Sequence, residues 1–464
     1  MKEIEDGGAK PGSEQPPVAA GESSKRWPRR RLLRWALGLV PAAAGGGWAA
    51  FEWLSGREGR ARWNADGDPW ADPQLREAAW LCFANHQGAY WTLDRLLQSP
   101  TSRNAPARLL RACLAMERGW PDMVRHNLAW PEVRDTLEAR LLLELSERRP
   151  RSPDWRHAFF EAWDALGRPD FSKSSLLPEP LKDSRALPFL HEDQQPLDES
   201  QRLPMVTVAP EQEESTLLEW GLAQVRASAS VPLLMALRER LLLLETRTPA
   251  RQRLLPTVEE RLGQLAGPVP RTLQLALRSF LAGSPPEAHL GRRDLEALEK
   301  LVTLEWKQPS SEHFFREIRE RFEGVLLLPG HHAWLLASWA QGVSLGRELL
   351  RRARASAEHL SEDERRWMGR LLWEVGARLR EQHSRVELET GLRLQMYGSE
   401  LTQHMPTRMD SIGLWVELGQ WEEALKRAAW KRWPLASLQE ESCEPRARDE
   451  HAWLKAFAGK GELP

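Results

Sequence analysis

The chain has 464 residues, which is enough for one large core or for two bodies of ordinary domain size. Its 65 Lys and Arg nearly balance its 66 Asp and Glu, so no global positive field recruits nucleic acid, and we expect no nucleic-acid partner. Leu, Arg, Ala, Glu and Trp are abundant, whereas Val and Ile are sparse and Tyr occurs only twice. This composition favours helices over strands and predicts an all-α fold.

The N-terminal region combines a polar tail with one apolar run. Residues 1–24 carry few large apolar side chains, so we expect a disordered tail. Residues 25–56 contain a basic cluster followed by an apolar run from Trp35 to Leu54, which is long enough to cross a bilayer core of about 30 Å. The cluster includes Arg29, Arg30, Arg31 and Arg34. This charge asymmetry predicts a single-pass anchor in a bacterial inner membrane, with the N-terminus cytoplasmic and the body periplasmic.

Two other interpretations of this region remain open. The string from Arg29 to Arg34 resembles the twin-arginine export signal, and Ala42 to Ala44 offers small residues for a peptidase, so this resemblance implies a cleaved, exported chain. Alternatively, the run 35–54 forms a Gly-rich helix buried in a soluble protein. Residues 57–71 are a short polar spacer in every case.

Residues 72–166 are predicted to form tandem helical hairpins. Asp72 before Pro73 is a typical helix start, with Asp as the cap and Pro in the first turn. Three residue types then recur with the same shift of 31 positions: Cys82 and Cys113, Ala84 and Ala115, Gly88 and Gly119. A period in the thirties is typical of stacked helix pairs, because one hairpin cannot bury its own apolar face. Gly88 and Gly119 are therefore predicted to occupy equivalent repeat turns.

A second hairpin of this type is predicted near the C-terminus. The stretch from Leu414 to Pro434 contains Trp415, Gly419, Trp421 and Ala424. It resembles the tetratricopeptide repeat, whose turn glycine is followed two residues later by an aromatic residue and five later by an alanine. It departs from the repeat afterwards, with Ala428 where a large aromatic is usual and Lys431 where a small residue is usual.

The hairpin around Gly119 matches this repeat less closely, because Pro121 and Val124 replace the aromatic residue and the alanine. The resemblance implies a degenerate tetratricopeptide-like α-solenoid. In that family the repeats bind peptides or partner proteins along a concave surface.

The rest of the chain divides at a proline-rich segment. Residues 167–212 lose the helical pattern and are predicted to be a linker. Residues 213–464 form the predicted C-terminal helical-repeat region. Within it, Ser361 and Glu364 form a capping box, and the helix that they start has apolar side chains every four residues. Those side chains are Trp367, Leu371, Val375 and Leu379.

One motif points to catalysis. Gly342-Val343-Ser344-Leu345-Gly346 fits the GxSxG elbow that presents a nucleophilic serine in α/β-hydrolases. An elbow requires a preceding strand, but His332 to Gln341 is predicted to be a helix, and no Val-rich or Ile-rich strands surround it. We therefore keep a hydrolase that uses Ser344 only as an alternative hypothesis.

The remaining patterns indicate a binding protein. The cysteines Cys82, Cys113 and Cys443 lack zinc spacing, no HExxH motif occurs and no phosphate-binding loop is present. We expect no catalytic residues, cofactor or metal site. Arg and Trp are common anchors of protein interfaces. The sequence thus predicts a membrane-tethered, non-catalytic scaffold for protein partners, with a soluble cytoplasmic scaffold as a further alternative.

Overall fold

Every regular element in the described part of the chain is a helix. The computed structural model describes residues 68–84, 86–98, 104–180, 199–208, 214–244, 248–283, 285, 287–307, 309–326 and 328–458. These residues form α-helices and short 3-10 turns, and no strand occurs among them. The predicted all-α class is confirmed. Leu-rich, Arg-rich and Ala-rich segments favour helices, and the shortage of β-branched residues disfavours strands.

The N-terminal helices are arranged as consecutive hairpins. They are α1 (Pro73–Ala84), α2 (His86–Leu96), α3 (Asn104–Glu117), α4 (Pro121–Leu128), α5 (Leu137–Arg148) and α6 (Trp155–Ala165). α1 packs on α2 and α3, and α3 packs on α4 and α5. Because each hairpin contacts the next one, α3 is covered on two sides: Leu110 and Leu114 join the core of α1 and α2, whereas Leu109 and Cys113 join the following core.

Aspartate side chains cap the N-termini of α1 and α6. Asp72 Oδ1 accepts hydrogen bonds from the backbone N–H groups of Gln74 and Leu75 at 2.7 and 3.2 Å, which confirms the predicted start of α1. At α6 the cap is Asp154, which accepts from His157 N–H at 2.9 Å. The pair Ser152-Pro153 precedes this helix and also places a capping residue type before a proline, but the carboxylate of Asp154 supplies the capping oxygen.

In the C-terminal region, helices that are far apart in the sequence also pack against one another. They are α7 (Glu199–Val208), α8 (Glu214–Ala227), α9 (Val231–Leu243), α10 (Pro249–Ala266), α11 (Leu273–Ala282), α12 (Arg292–Leu301), α13 (Ser311–Phe322), α14 (Pro329–Trp339), α15 (Val343–Ser356), α16 (Glu362–Arg380), α17 (Arg385–Leu401), α18 (Met405–Ala428) and α19 (Ala436–Ala458). Distant helices meet in pairs such as α9 with α14, α12 with α16 and α13 with α19.

The capping box at α16 is present as predicted. Ser361 Oγ accepts from Glu364 N–H at 3.3 Å, and Glu364 Oε2 accepts from Ser361 N–H at 3.0 Å. Leu371, Val375 and Leu379 are buried, so the predicted apolar stripe of α16 does face the core.

Part of the predicted linker 167–212 is packed on the C-terminal helices. The guanidinium of Arg432 donates five hydrogen bonds of 2.6 to 3.2 Å to backbone carbonyls of one loop. These carbonyls belong to Phe171, Ser172, Ser174, Leu177 and Pro178. Further along, α7 lies inside the same predicted linker and packs on α8 and α9. Pro204 is tolerated inside α7, whose buried residues Leu203, Met205 and Val208 join the main C-terminal core.

α19 joins the early and late helices of the chain. Glu440 accepts from the N–H groups of Gly330 and His331 at the start of α14, and Glu441 accepts from Trp155 N–H at the start of α6. Carboxylates satisfy the orphan amides and the positive end of a helix dipole. In return, Glu117 at the end of α3 accepts from the N–H and Oγ of Ser437 at 3.0 and 2.6 Å.

An aromatic core lies beneath these caps. Phe159 and Phe160 of α6 contact Trp433, Trp453 and Phe457, with ring centroids 4.8 to 6.1 Å apart. The helical regions that the sequence divides at 167–212 therefore share one core, and the described residues all belong to one compact unit, Asn64–Pro464.

The predicted membrane segment is not part of this description. Residues 1–67 lie outside the described residues, including the tail, the run 35–54 and the basic residues Arg29, Arg30, Arg31 and Arg34. Among the helices that are described, none has both the length and the apolar character that a bilayer crossing requires.

Candidate functional site

Three arginines, two on α3 and one directly after its last residue, each stack on an aromatic ring. Arg108, Arg111 and Arg118 are separated by three and seven residues, a spacing that places side chains on one side of a helix. The distances from guanidinium carbon to ring centroid are 3.9, 4.5 and 5.1 Å. The rings are, in the same order, those of Trp130, Tyr90 and Trp120. We name these six residues the arginine–aromatic ladder.

The turn after α3 sets the position of one end of the ladder. Gly119 adopts φ +69°, Trp120 N–H donates to Ala115 O at 2.8 Å and Gly119 N–H donates to Met116 O at 3.0 Å. This is the Schellman pattern, in which a left-handed residue ends the helix and reverses the chain. Pro121 then starts α4. The reversal leaves the indole of Trp120 beside Arg118 at the surface.

α2 supplies the middle of the ladder. Arg111 Nη2 donates to Tyr90 Oη at 2.7 Å, and Arg111 Nη1 forms an ion pair with Asp94 Oδ1 at 2.7 Å. Tyr90 and Asp94 are one helical turn apart, so α2 presents an aromatic ring and a carboxylate to the same guanidinium. His86, one turn before Tyr90, has its pKa lowered by burial and by the charge of Arg118.

The other end of the ladder contains a buried cation. Arg108 is only 8 % exposed, and among the described residues no acceptor lies within hydrogen-bond distance of its Nε. Burial and the neighbouring Arg111 lower the pKa of Arg108, while Glu132 and Asp94 act in the opposite direction. A buried donor without an acceptor is costly, so this group destabilises the folded chain.

The ladder is also partly apolar at its surface. Trp120 is 43 % exposed and Trp130 is 39 % exposed, and Trp91 next to Tyr90 is more exposed still. Clustered exposed aromatic and Arg side chains are typical of interaction surfaces. This surface combines cationic donors with flat apolar rings, and it can bind a segment that carries both carboxylates and apolar side chains.

Ser344, the candidate nucleophile, lies in a different chemical setting. It is in the first turn of α15, and the element before it is the helix α14 and not a strand. Ser344 Oγ donates to Glu239 and accepts from Arg238 Nη1 at 2.7 Å. No histidine of the described chain forms a hydrogen bond with Ser344.

The network around Ser344 is an ion-pair cluster. Arg238 Nε and Arg278 Nε contact the two carboxylate oxygens of Glu259 at 2.6 and 2.7 Å. Burial opposes ionisation of Glu259, but the two guanidinium groups outweigh burial and hold the pKa of this carboxyl below its usual value. The cluster joins α9, α10, α11 and α15, and every contact of Ser344 within it is with an ion-paired side chain.

The predicted repeat-turn glycines do not occupy equivalent positions. Gly119 lies between α3 and α4, whereas Gly88 lies inside α2 and Gly419 lies inside α18. The predicted turns at Gly88 and Gly419 are therefore wrong. α2 begins at His86, so the break between α1 and α2 falls before Gly88. Gly419 has no helix breaker beside it comparable to Pro121, and α18 continues to Ala428.

The cysteines have a packing role in the described structure. Cys82, Cys113 and Cys443 are buried and form no disulfide. Burial raises the pKa of the Cys443 thiol to about 12, which disfavours the reactive thiolate. Across the described ranges, no group of three or more His, Cys, Asp or Glu side chains is arranged to hold a metal ion.

Sequence reasoning did not identify the ladder. The helical spacing of Arg108, Arg111 and Arg118 is visible in the sequence and provides the one available signal. Their ring partners come from three separate segments, and only tertiary packing brings those segments together. Comparison with known proteins adds no relative: no protein-family model, no curated protein sequence and no solved structure matches this chain.

Proposed function

We propose that this chain is a non-catalytic helical-repeat scaffold that binds an acidic segment of a partner protein on the arginine–aromatic ladder. The observation that carries this proposal is the stacking of three arginines, on α3 and at its C-terminal end, on three aromatic rings, with both indoles partly exposed. Trp, Tyr and Arg dominate the binding energy of protein interfaces because they offer large rigid contact areas and several donors.

The stacked hairpins α1–α6 support the repeat part of this proposal. A tetratricopeptide-like scaffold would present one face of such a stack to its partners. On the ladder, Arg118 is exposed and available to a carboxylate of a partner, and the neighbouring indole of Trp120 is 43 % exposed. Pre-stacked guanidinium groups lose less conformational freedom on binding, which favours affinity.

We further propose that the scaffold is tethered to a membrane by residues 35–54. The support is the basic cluster at Arg29, Arg30, Arg31 and Arg34 followed by an apolar run of spanning length. In this arrangement the helical body lies on the periplasmic side of a bacterial inner membrane, and export by a twin-arginine-like signal is the alternative.

Cell fractionation tests the tether. We would compare the full chain with a version that starts at Arg57 and then treat spheroplasts with protease. Membrane retention of the full chain alone, with its body digested from outside, supports the proposal. Full-length protein in the soluble cytoplasm contradicts it and favours a cytoplasmic scaffold.

Site-specific crosslinking tests the ladder. A photoreactive amino acid replaces Trp120 in the full chain in its native cells, and the same residue replaces the exposed Val269 as the control position. We expect protein adducts from position 120 that disappear when Arg118→Glu is added, with adduct sites in acidic segments. Equal adducts from both positions, or adducts unaffected by Arg118→Glu, would contradict a binding role for the ladder.

A further inference from the structure

Three arginines near the crossing of α15 and α17 lack an anionic partner in the described structure. Arg347 and Arg354 belong to α15, and Arg393 belongs to α17. None of the three forms an ion pair with, or donates a hydrogen bond to, any residue that the structure describes. We name these three residues the arginine triad. Its charged donors are available to another molecule.

The crossing of the two helices brings the triad together. A Cβ atom on Gly346 would lie 2.8 Å from Thr390 Cγ2, so α15 and α17 meet closely just before Arg347. Arg347 and Arg354 are seven residues apart, which is about two helical turns and places both on one side of α15. Arg393 follows Thr390 by three residues, about one turn further along α17.

Two aromatic rings orient the guanidinium groups. The guanidinium carbon of Arg354 lies 5.4 Å from the ring centroid of Tyr397, and that of Arg393 lies 4.9 Å from the ring centroid of Trp415. Both rings are half-buried. Stacking covers a face of the guanidinium but leaves its N–H groups free to donate in the plane. Two arginines of the triad are therefore pre-oriented for a ligand, which favours affinity.

The charges of the triad act on one another. Burial lowers the pKa of Arg393, Glu389 opposes this effect, and the charges of Arg347 and Arg354 lower the pKa further. Glu389 lies one turn before Arg393 and is already paired with Arg385 Nε at 2.8 Å. An anion in contact with the triad would relieve the repulsion between its like charges.

Other carboxylates beside the triad do not neutralise it. Glu400 lies one turn after Tyr397 and pairs with Arg408 Nη2 at 3.2 Å. Glu358 follows Arg354 by four residues, but it lies beyond the end of α15 and forms no ion pair with Arg354. The three arginines therefore leave an excess of positive charge at this surface.

The number of donors selects the kind of anion. A carboxylate has two oxygens and is matched by one bidentate Arg, whereas a phosphomonoester has three free oxygens and a charge of about −1.5 to −2 at pH 7. Three guanidinium groups suit the phosphomonoester. Nucleic acid would require a basic surface on a larger scale, and the 65 Lys and Arg of the chain are balanced by 66 Asp and Glu.

From these contacts and charges, we propose that the arginine triad binds a phosphomonoester group, carried either by a soluble small molecule or by a lipid headgroup. The triad lies on α15 and α17, whereas the arginine–aromatic ladder is built around α3. The two sites can therefore fail or succeed separately.

Two small dianions test the chemistry of the site. Glycerol phosphate is a phosphomonoester, and succinate has the same charge but carries it on two carboxylates. Each is titrated by calorimetry into the full-length chain held in phosphatidylcholine nanodiscs, with empty nanodiscs as the blank. We expect glycerol phosphate to bind with a Kd of about 1 mM or tighter and succinate at least about tenfold more weakly.

Vesicle sedimentation tests the lipid source with the same preparation. Phosphatidylcholine vesicles that contain phosphatidic acid present a phosphomonoester, and vesicles that contain phosphatidylserine present a phosphodiester and a carboxylate. Sedimentation of the chain with the phosphatidic acid vesicles alone supports the proposal and identifies a lipid source. Binding of glycerol phosphate without sedimentation also supports it and identifies a soluble ligand.

Variants locate the binding. Arg347→Ala/Arg354→Ala should weaken binding at least about tenfold, and Arg393→Lys should also weaken it because Lys keeps the charge but not the planar fork. Arg140→Ala/Arg293→Ala removes two exposed arginines from α5 and α12 and should leave binding unchanged. Circular dichroism first checks that each variant keeps the helix content of the wild type. Equal binding of succinate and glycerol phosphate, full binding by Arg347→Ala/Arg354→Ala, or no binding with either source would overturn the proposal.

Discussion

Gly376 of α16 and Gly391 of α17 bring two helix backbones into direct contact. A Cβ atom on Gly376 would lie 2.6 Å from Gly391 O, and a Cβ atom on Gly391 would lie 2.5 Å from Gly376 O. Gly369 and Gly398, each seven residues away along its helix, repeat the arrangement at 2.8 and 2.5 Å. Any larger side chain at these positions would force the helices apart, so the four glycines set the spacing between α16 and α17.

Gly376→Ala should therefore destabilise the protein. Overpacking of a tight contact costs about 1–3 kcal/mol and here outweighs the better helix propensity of Ala. The measurement is urea-induced unfolding of the full chain, followed by tryptophan fluorescence. Gly413→Ala in α18 is the matched control, because no atom outside its own helix backbone lies within 4 Å of the new methyl group. We expect this variant to raise the free energy of unfolding by about 0.5–1 kcal/mol. A neutral Gly376→Ala would contradict the close approach of the two backbones.

Gly419→Ala distinguishes a continuous α18 from a repeat turn. Gly419 lies in the middle of the helix with open space around it, so Ala should raise stability by about 0.5–1 kcal/mol. Gly119→Ala should lower stability by about 1–2 kcal/mol, because φ +69° is strained for a residue with a Cβ atom. Both changes are compared by thermal unfolding under the same conditions. If Gly419→Ala is as destabilising as Gly119→Ala, the helix is interrupted at Gly419 as a repeat requires.

Gly119 and Gly419 show that features set by neighbouring residues can be predicted from the sequence, whereas features set by tertiary packing cannot. The helical class, the cap at Asp72 and the capping box at Ser361 depend on neighbouring residues and were predictable. The turn at Gly419 was inferred from a local resemblance, whereas the continuity of α18 depends on its packing against α17 and α19. Likewise, a proline is a typical helix start in a sequence, but α10 runs through Pro256, and Leu254 and Val258 on either side of it are buried. The arginine–aromatic ladder could not be predicted from the sequence, because its rings come from separate segments that only the fold brings together.

Arg432→Lys should release the loop that follows α6. Lys keeps the charge but cannot donate hydrogen bonds to five carbonyl groups at once, as the planar guanidinium does. We therefore expect the free energy of unfolding to fall by about 2–3 kcal/mol. Limited proteolysis should show new cleavage between residues 168 and 180, detected by mass spectrometry. Arg125→Lys, at an exposed ion pair with Asp122, is the control and should change stability by less than about 0.5 kcal/mol. Unchanged proteolysis of the Arg432 variant would show that the loop is held by other contacts.

Ser344→Ala tests the hydrolase alternative against the ion-pair network. Removal of Oγ takes one hydrogen-bond partner from Arg238 and one from Glu239, so stability should fall by about 1–2 kcal/mol. Hydrolysis of a generic p-nitrophenyl ester should be the same for both proteins at equal folded concentration. Loss of an esterase activity in a fully folded variant would support the serine hydrolase and refute the scaffold.

Asp154→Asn should destabilise the protein in a pH-dependent manner. Burial tends to raise the pKa of this carboxyl, but hydrogen bonds from Arg156 and from the backbone and ring of His157 outweigh burial and lower the pKa to about 2. In the unfolded chain the pKa of Asp is about 3.9. Because the folded pKa is the lower one, the ionised group stabilises the protein above the unfolded value, and this contribution is lost as pH falls towards the folded value.

We therefore expect the free energy of unfolding of the wild type to exceed that of Asp154→Asn by about 1–2 kcal/mol at pH 7. This is less than the shift in pKa alone would give, because solvent screens this partly exposed group. The difference should shrink steadily as the pH falls from about 5 towards 3, measured by urea unfolding at each pH. Asp122→Asn removes a highly exposed carboxylate and provides the control, with little difference at any pH. A gap that stays constant down to pH 3 would mean that Asp154 acts through packing alone, and that its hydrogen bonds from Arg156 and His157 do not favour the ionised form.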